Sequence, residues 1–299
     1  MHAPASEAKA VPILPGLAAL AERYNGFILD LWGTIHDGIR PWAGAVECLL
    51  ELKRRGKRTL ILSNAPRRSY LAIERMSEMG IPRASYDDVL TSGEAAHDAL
   101  VARTDAWHRR LGRRCHLLGP PKDDSVLEEV AHDRVDELAR ADYVVNVGTR
   151  RRMDTLDQYE GFLAEAAARK LPMICCNPDY EVLRGEDREL CAGALARRYG
   201  ELGGDVHYHG KPYAPIYAES MRRLGLSEMR RVLAVGDALR TDVAGAAAVG
   251  MDAVLITSTG ILAKDLGIAP FEDPPPEALA RLTAAEGQRP IAAMAAFRW

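Results

Sequence analysis

The apolar positions of this chain fall into two rhythms, short continuous runs and longer stretches at helical spacing. Residues 27–31, 59–62, 232–235 and 253–256 are runs of strand length, each ending at polar or small residues. Between the first pair, Val46, Leu49, Leu50 and Leu52 recur at helical spacing before Gly56, which predicts a helix over 44–55 with a glycine stop. A second helix is predicted over 69–79, before Gly80. The same β-α-β order returns later, with a short helix over 241–249 between the strands at 232–235 and 253–256. Alternation of this kind predicts a parallel sheet with right-handed crossovers.

The stretch between these halves carries its own alternation. Residues 115–118, 143–147 and 173–176 read as strands, separated by charged helical runs over 122–140 and 156–170. The expected fold is α/β: a doubly wound, parallel-sheet, Rossmann-like core with a second α/β unit inserted into it. Residues 1–92 and 207–299 would form the core and residues 93–206 the insertion. A short helix is expected over 17–23, and the Pro- and Ala-rich stretch after residue 256 carries no motif.

Composition narrows the functional classes. The net charge of −3 argues against nucleic acid or an anionic membrane as the main partner. The longest apolar runs are strand-sized, far short of the ~20 residues of a spanning helix, and no basic flank precedes an apolar block as in a signal peptide. Cys48, Cys115, Cys175, Cys176 and Cys191 form no C-x-x-C pair and are odd in number, which suits reduced thiols in a cytoplasmic protein. Adjacent Cys175 and Cys176 should face opposite sides of a strand.

Four separated segments place polar groups at strand ends or helix starts. Asp30 closes the apolar run 27–31 just before Trp32-Gly33, a position at which open α/β sheets bind ligands. Ser63-Asn64 follows the second strand, Lys211 stands between Gly210 and Pro212, and Asp237 and Asp242 bracket a strand-to-helix turn. Arg67 and Arg68 follow the second segment and could meet an anion, although surface arginines are commonplace. His207 and His209 fall on one strand face as metal-binding pairs do, with no third ligand at fitting spacing.

Together the four segments resemble the four motifs of the haloacid dehalogenase (HAD) superfamily, in its class IIA or NagD-like branch, over residues 24–260. Thr91-Ser92-Gly93-Glu94-Ala95-Ala96 is similar to the segment by which that class enters its cap. Asn177-Pro178-Asp179 and Gly193-Ala194-Leu195 are similar to its return from the cap. The resemblance implies a hydrolase of small, phosphorylated metabolites, with Asp30 as nucleophile. It implies Mg2+ held by Asp30, the Trp32 carbonyl and Asp237, with Asp242 behind them holding waters or Lys211. Lys211 and Ser63 would offset the phosphoryl charge; Asn64, Asn177 and Asp179 would lie on the substrate side. A homodimer formed through the caps is compatible with the resemblance.

One position departs from the family pattern. The first motif, Asp-x-Asp, has Trp32 at its second aspartate. In the family's phosphatases that aspartate protonates the leaving oxygen and then activates water, and such proton transfer contributes ~10²–10⁴-fold in rate. An indole N–H only donates a hydrogen bond. Two alternatives to a phosphatase therefore stand: a dehalogenase-like hydrolase, or an impaired enzyme retained as a binding or regulatory protein. His36 and Asp37 lie just downstream, either as substitutes for the missing group or as plain loop residues.

Overall fold

The computed structural model describes residues 10–184 and 187–299; the Ala- and Pro-rich segment at 1–9 lies outside them. In chain order the strands are β1 (Gly26–Leu29), β2 (Arg58–Ser63), β3 (Asp88–Thr91), β4 (Arg114–Leu118), β5 (Asp133–Arg134), β6 (Tyr143–Asn146) and β7 (Met173–Cys175). They continue as β8 (Glu181–Arg184), β9 (Asp187–Leu190), β10 (Val206–Tyr208), β11 (Val232–Gly236), β12 (Asp252–Ile256) and β13 (Ala292–Met294).

Six strands form one parallel sheet in the order β13-β12-β11-β1-β2-β3. The continuous apolar runs arise because both faces are covered. Phe27, Leu29, Leu233 and Val235 pack on one side, while Ile28, Leu60, Leu62 and Ala234 pack on the other. The chain winds from β1 outward to β2 and β3, then returns to build β11, β12 and β13 on the opposite flank. The direction of winding reverses between β1 and β11, and a crevice opens beyond their carboxyl ends.

A second parallel sheet has the order β10-β7-β6-β4-β5, and β8 and β9 form an antiparallel hairpin. Its strands are likewise covered on both faces: Val144, Met173 and Cys175 on one, Tyr143, Val145, Ile174 and Cys176 on the other. Cys175 and Cys176 thus part to opposite sides, and all five cysteines are buried free thiols. β10 belongs to this sheet, so the chain leaves it after Tyr208 rather than at residue 206.

The helices Ala45–Arg54, Ser69–Glu78 and Glu160–Ala168 occupy the stretches expected of them. The run 122–140 differs. It holds only short turns at Ser125–Leu127 and Leu138–Arg140 and the strand β5, with Glu129 at φ 59°. Its buried residues Val126, Leu127, Val130, Val135 and Leu138 have no sustained 3.6-residue period, so tertiary packing rather than a helix face organises them. The helix Pro276–Ala285 and the strand β13 lie in the stretch after residue 256 that carries no motif. No helix among the described residues is long and apolar enough to cross a membrane.

Gly193 allows a close approach that positions the crevice. It lies on the helix Ala192–Glu201, and a Cβ there would sit 2.3 Å from the Pro178 carbonyl oxygen and 2.5 Å from that of Asp179. Gly193→Ala should therefore lower stability by ~1–3 kcal/mol, the usual penalty of overpacking, seen as a lower urea midpoint with an unchanged slope.

Candidate active site

Asp30 follows β1 directly, and its backbone N–H donates to the Val235 carbonyl at 2.8 Å. This continues the β1–β11 ladder one residue further and aims the carboxylate into the crevice. Asp237 follows β11 and accepts from the Ile261 N–H at 2.7 Å. Its packing leaves no room for side chains opposite: a Cβ on Gly260 would lie 2.0 Å from its Oδ2, and one on Gly33 2.3 Å. The chain then makes a wide turn over Leu239–Val243, with the Val243 N–H reaching back to the Ala238 carbonyl at 3.2 Å. That turn folds Asp242 back onto its own start, where Oδ2 accepts from the Ala238 N–H at 3.1 Å.

Lys211 joins these elements. Its ammonium donates to Asp30 Oδ1 at 2.5 Å and to Asp242 Oδ1 at 2.7 Å. Asn64, just past β2, fixes the lysine's backbone on both sides: its Oδ1 accepts from the Lys211 N–H at 2.8 Å and its Nδ2 donates to the Lys211 carbonyl at 3.1 Å. The same Nδ2 donates to Asp179 Oδ1 at 2.9 Å, and Asn177 Oδ1 accepts from the Asp179 N–H at 2.9 Å. Ser63 is buried beside them, with its Oγ accepting from the Ala65 N–H at 3.2 Å. All nine expected site residues therefore gather at the mouth of the crevice or on the segment facing it.

Trp32 takes up a different role from a proton carrier. Its Nε1 donates to the Leu183 carbonyl on β8 at 2.7 Å. The Arg184 guanidinium lies over its ring at 4.9 Å, and His36 packs edge-on at 5.2 Å. The hairpin β8–β9 is thus latched to the core across the site. Arg188 and Asp265 make an ion pair at 2.8 Å, and Arg240 donates to the Pro178 carbonyl while stacking on Tyr180 at 3.6 Å. Neither the hairpin contacts nor the role of Arg240 is legible in the sequence pattern.

His36 and Asp37 have loop roles. His36 Nδ1 accepts from the Gly38 N–H at 2.9 Å, and burial pushes its pKa down to about 4, so the ring stays neutral. Asp37 Oδ1 accepts from the backbone N–H groups of Ile39 and Arg40, both at 2.8 Å.

The charge balance of the crevice is uneven. Asp30, Asp237 and Asp242 are 7%, 8% and 4% exposed, and their carboxylate oxygens lie within 4.8 Å of one another. Burial, followed for Asp237 by repulsion from Asp30 and Asp242, raises the pKa of Asp30 and of Asp237 despite the nearby ammonium. Burial also raises Asp179, against the pull of Lys211 and Asn64. Three buried carboxylates with one buried cation fit a further divalent ion, and an all-oxygen donor set suits a hard one. Among the described residues, one oxygen of Asp30 and one of Asp237 hold no hydrogen bond, whereas both of Asp242 are engaged.

Residues 27–132 match the haloacid dehalogenase-like hydrolase family, and residues 208–283 match a second family described as HAD-hydrolase-like. A hydrolase of the haloacid dehalogenase-like family from Brucella suis 1330 superimposes with a TM-score of 0.81 at 34% identity, over 95% of this chain and 99% of that one. The chain belongs to the haloacid dehalogenase-like hydrolases. Within them it falls in the class IIA, NagD-like branch. The p-nitrophenyl phosphatase of Archaeoglobus fulgidus shares 25% identity at a TM-score of 0.69, over 91% of this chain and 96% of that one. D-glycerol 3-phosphate phosphatase of Mycobacterium tuberculosis is 27% identical over 252 residues, 82% of this chain and 66% of the relative's length. The chain thus spans just under two thirds of that HAD relative.

The Lys211 ion pairs make a stability prediction. Lys211→Met would leave Asp30, Asp242 and Asp237 buried together without their cation, and breaking a buried pair costs ~3–5 kcal/mol. Chemical denaturation in the presence of a chelator should show a loss of that size.

Proposed function

We propose that this HAD hydrolase is a Mg2+-dependent phosphatase of a small phosphorylated metabolite, with Asp30 as the nucleophile. Residues 93–208 act as the cap and the flanking segments as the core. The observation that carries the reading is the Lys211 ammonium lying against both Asp30 and Asp242, with the Asp237 carboxylate in the same cluster. The names of the relatives, phosphatases of glycerol phosphate and of p-nitrophenyl phosphate, support the substrate class. The five buried free thiols support a reducing, cytoplasmic setting.

An anionic carboxylate approaching an anionic phosphoryl group needs compensating positive charge. Lys211 supplies one part. Mg2+, held by Asp30, Asp237 and the Trp32 carbonyl with Asp242 supporting, would supply the rest as a Lewis acid. The uncommitted oxygen of Asp30 attacks phosphorus, the bond to the leaving oxygen breaks, and an aspartyl-phosphate forms. Water then attacks that phosphorus, releasing phosphate and restoring Asp30. The Ser63 hydroxyl would meet the phosphoryl oxygens, Asn64 would hold Lys211 and Asp179 in place for them, and Asn177 and Asp179 would present polar groups from the cap side.

Trp32 shapes substrate preference in this reading. With no carboxyl at that position, the leaving oxygen departs without a built-in proton donor. A phenolic oxygen, with a pKa near ~10, leaves far more readily than an alkoxide. The indole instead holds the hairpin β8–β9 over the site, where closure excludes water.

Four measurements test this. An aryl phosphate should be hydrolysed in a Mg2+-dependent manner and alkyl phosphates ~10²–10⁴-fold more slowly. Asp30→Asn should abolish both, and survival of turnover in that variant would remove the nucleophile assignment. Trp32→Asp should raise alkyl phosphatase activity. Trp32→Phe should raise KM for the aryl ester about two- to tenfold with little change in kcat, as expected for loss of one neutral hydrogen bond of ~0.5–1.5 kcal/mol.

A further inference from the structure

Away from the carboxylate cluster, three histidines from distant parts of the chain converge. Asp105 caps the short helix Ala106–Arg109, its Oδ1 accepting from the N–H groups of Trp107 and His108 at 2.9 and 3.0 Å. Its other oxygen meets His108 Nδ1 at 2.6 Å. Opposite stands β10, the edge strand of the smaller sheet, with His207 on it and His209 just past its end, two residues apart and so on one face. His108 Nε2 lies 3.2 Å from His209 Nε2, and one nitrogen from each of the three rings lies within 4.8 Å of the other two. The rings stand at centroid distances of 4.6, 5.2 and 5.0 Å, backed by Trp107 against His207 at 4.8 Å.

We propose that His108, His207 and His209 form a second metal site, taking a d-block divalent cation such as Zn2+ at the base of the cap. Metal–nitrogen bonds of ~2.0–2.1 Å set nitrogens about 3.3 Å apart around a tetrahedral ion. The His108–His209 pair already has that spacing, and the widest pair would close by no more than about 1.5 Å. With the Asp105 carboxylate accepting a hydrogen bond from His108 Nδ1–H, Nε2 is the nitrogen left to ligate, the usual carboxylate–histidine–metal arrangement. Partial exposure of His207 and His209 leaves a fourth position open to water.

Donor chemistry separates this site from the acidic one. Imidazole nitrogens favour zinc, nickel, copper or cobalt, whereas carboxylate and carbonyl oxygens favour magnesium. Position gives the site its consequence. His108 lies on the outgoing passage into the smaller sheet, and His207 and His209 lie on the return, four and two residues before Lys211. An ion bound to all three ties the two passages together beside the loop that carries the site lysine.

The test uses tag-free, full-length protein stripped with a chelator and kept in millimolar Mg2+, so that the carboxylates face a hard ion. Titration with Zn2+ against a zinc-binding chromophore should give one equivalent per chain. His207→Ala and His209→Ala should each weaken that affinity at least tenfold, and Asp105→Asn ~10–100-fold as an outer partner of a ligand. Co2+ should give the intense visible spectrum of a four-coordinate ion, lost in the same variants. Asp30→Asn should leave all of this unchanged, which keeps the result independent of the phosphatase reading. His207 is partly exposed, and equal urea midpoints without metal for its variant and the parent would show that folding is intact. Zn2+ affinity unaltered by the histidine variants, or lost only with Asp30→Asn, would overturn the proposal.

Discussion

The double ion pair of Lys211 is the constraint around which the crevice is arranged. Its ammonium is 3% exposed as a residue and meets two carboxylates that come from opposite flanks of the sheet's reversal point. A buried charge is tolerable only when paired and hydrogen-bonded. That requirement ties three parts of the chain to one another: the end of β1, the turn after β11, and the segment returning from the smaller sheet. Asn64 then grips the lysine's backbone from both sides, which brings the end of β2 into the same assembly.

The core was readable because its signals are local. Continuous apolar runs ending on Asp30, Ser63 and Asp237 mark strands buried on both faces, and the helices between them end near glycine. Carboxyl ends of adjacent parallel strands must lie side by side, so the motif residues had to converge. The inserted region was harder to read. The run 122–140 is rich in charge and resembles a helix in composition, yet its buried positions follow no helical period. β8 and β9 carry few apolar residues, because one face of the hairpin lies over a polar crevice.

Contacts between distant residues escaped the sequence for a different reason. His207 and His209 are separated from His108 by about a hundred positions, and nothing local in 106–109 announces a ligand. Trp32 was conspicuous as a departure from Asp-x-Asp, but its partner is a backbone carbonyl, which any residue at 183 would supply. Side-chain identity marks only half of such a bond. The other half is fixed by where the hairpin sits, and that is a tertiary fact.

The pairing of β1 with β11 has a kinetic meaning. Gly26 aligns with Val232, so about two hundred residues separate partners in the middle of the sheet. As the chain emerges from the ribosome, β1, β2 and β3 can join early, leaving the β1 edge with open backbone donors and acceptors. That edge stays exposed until the whole insertion has been synthesised and the chain comes back. Such long-range closure is slow and exposes a template for intermolecular strand addition. The smaller sheet can meanwhile assemble on its own, which shortens the gap that the returning chain must span.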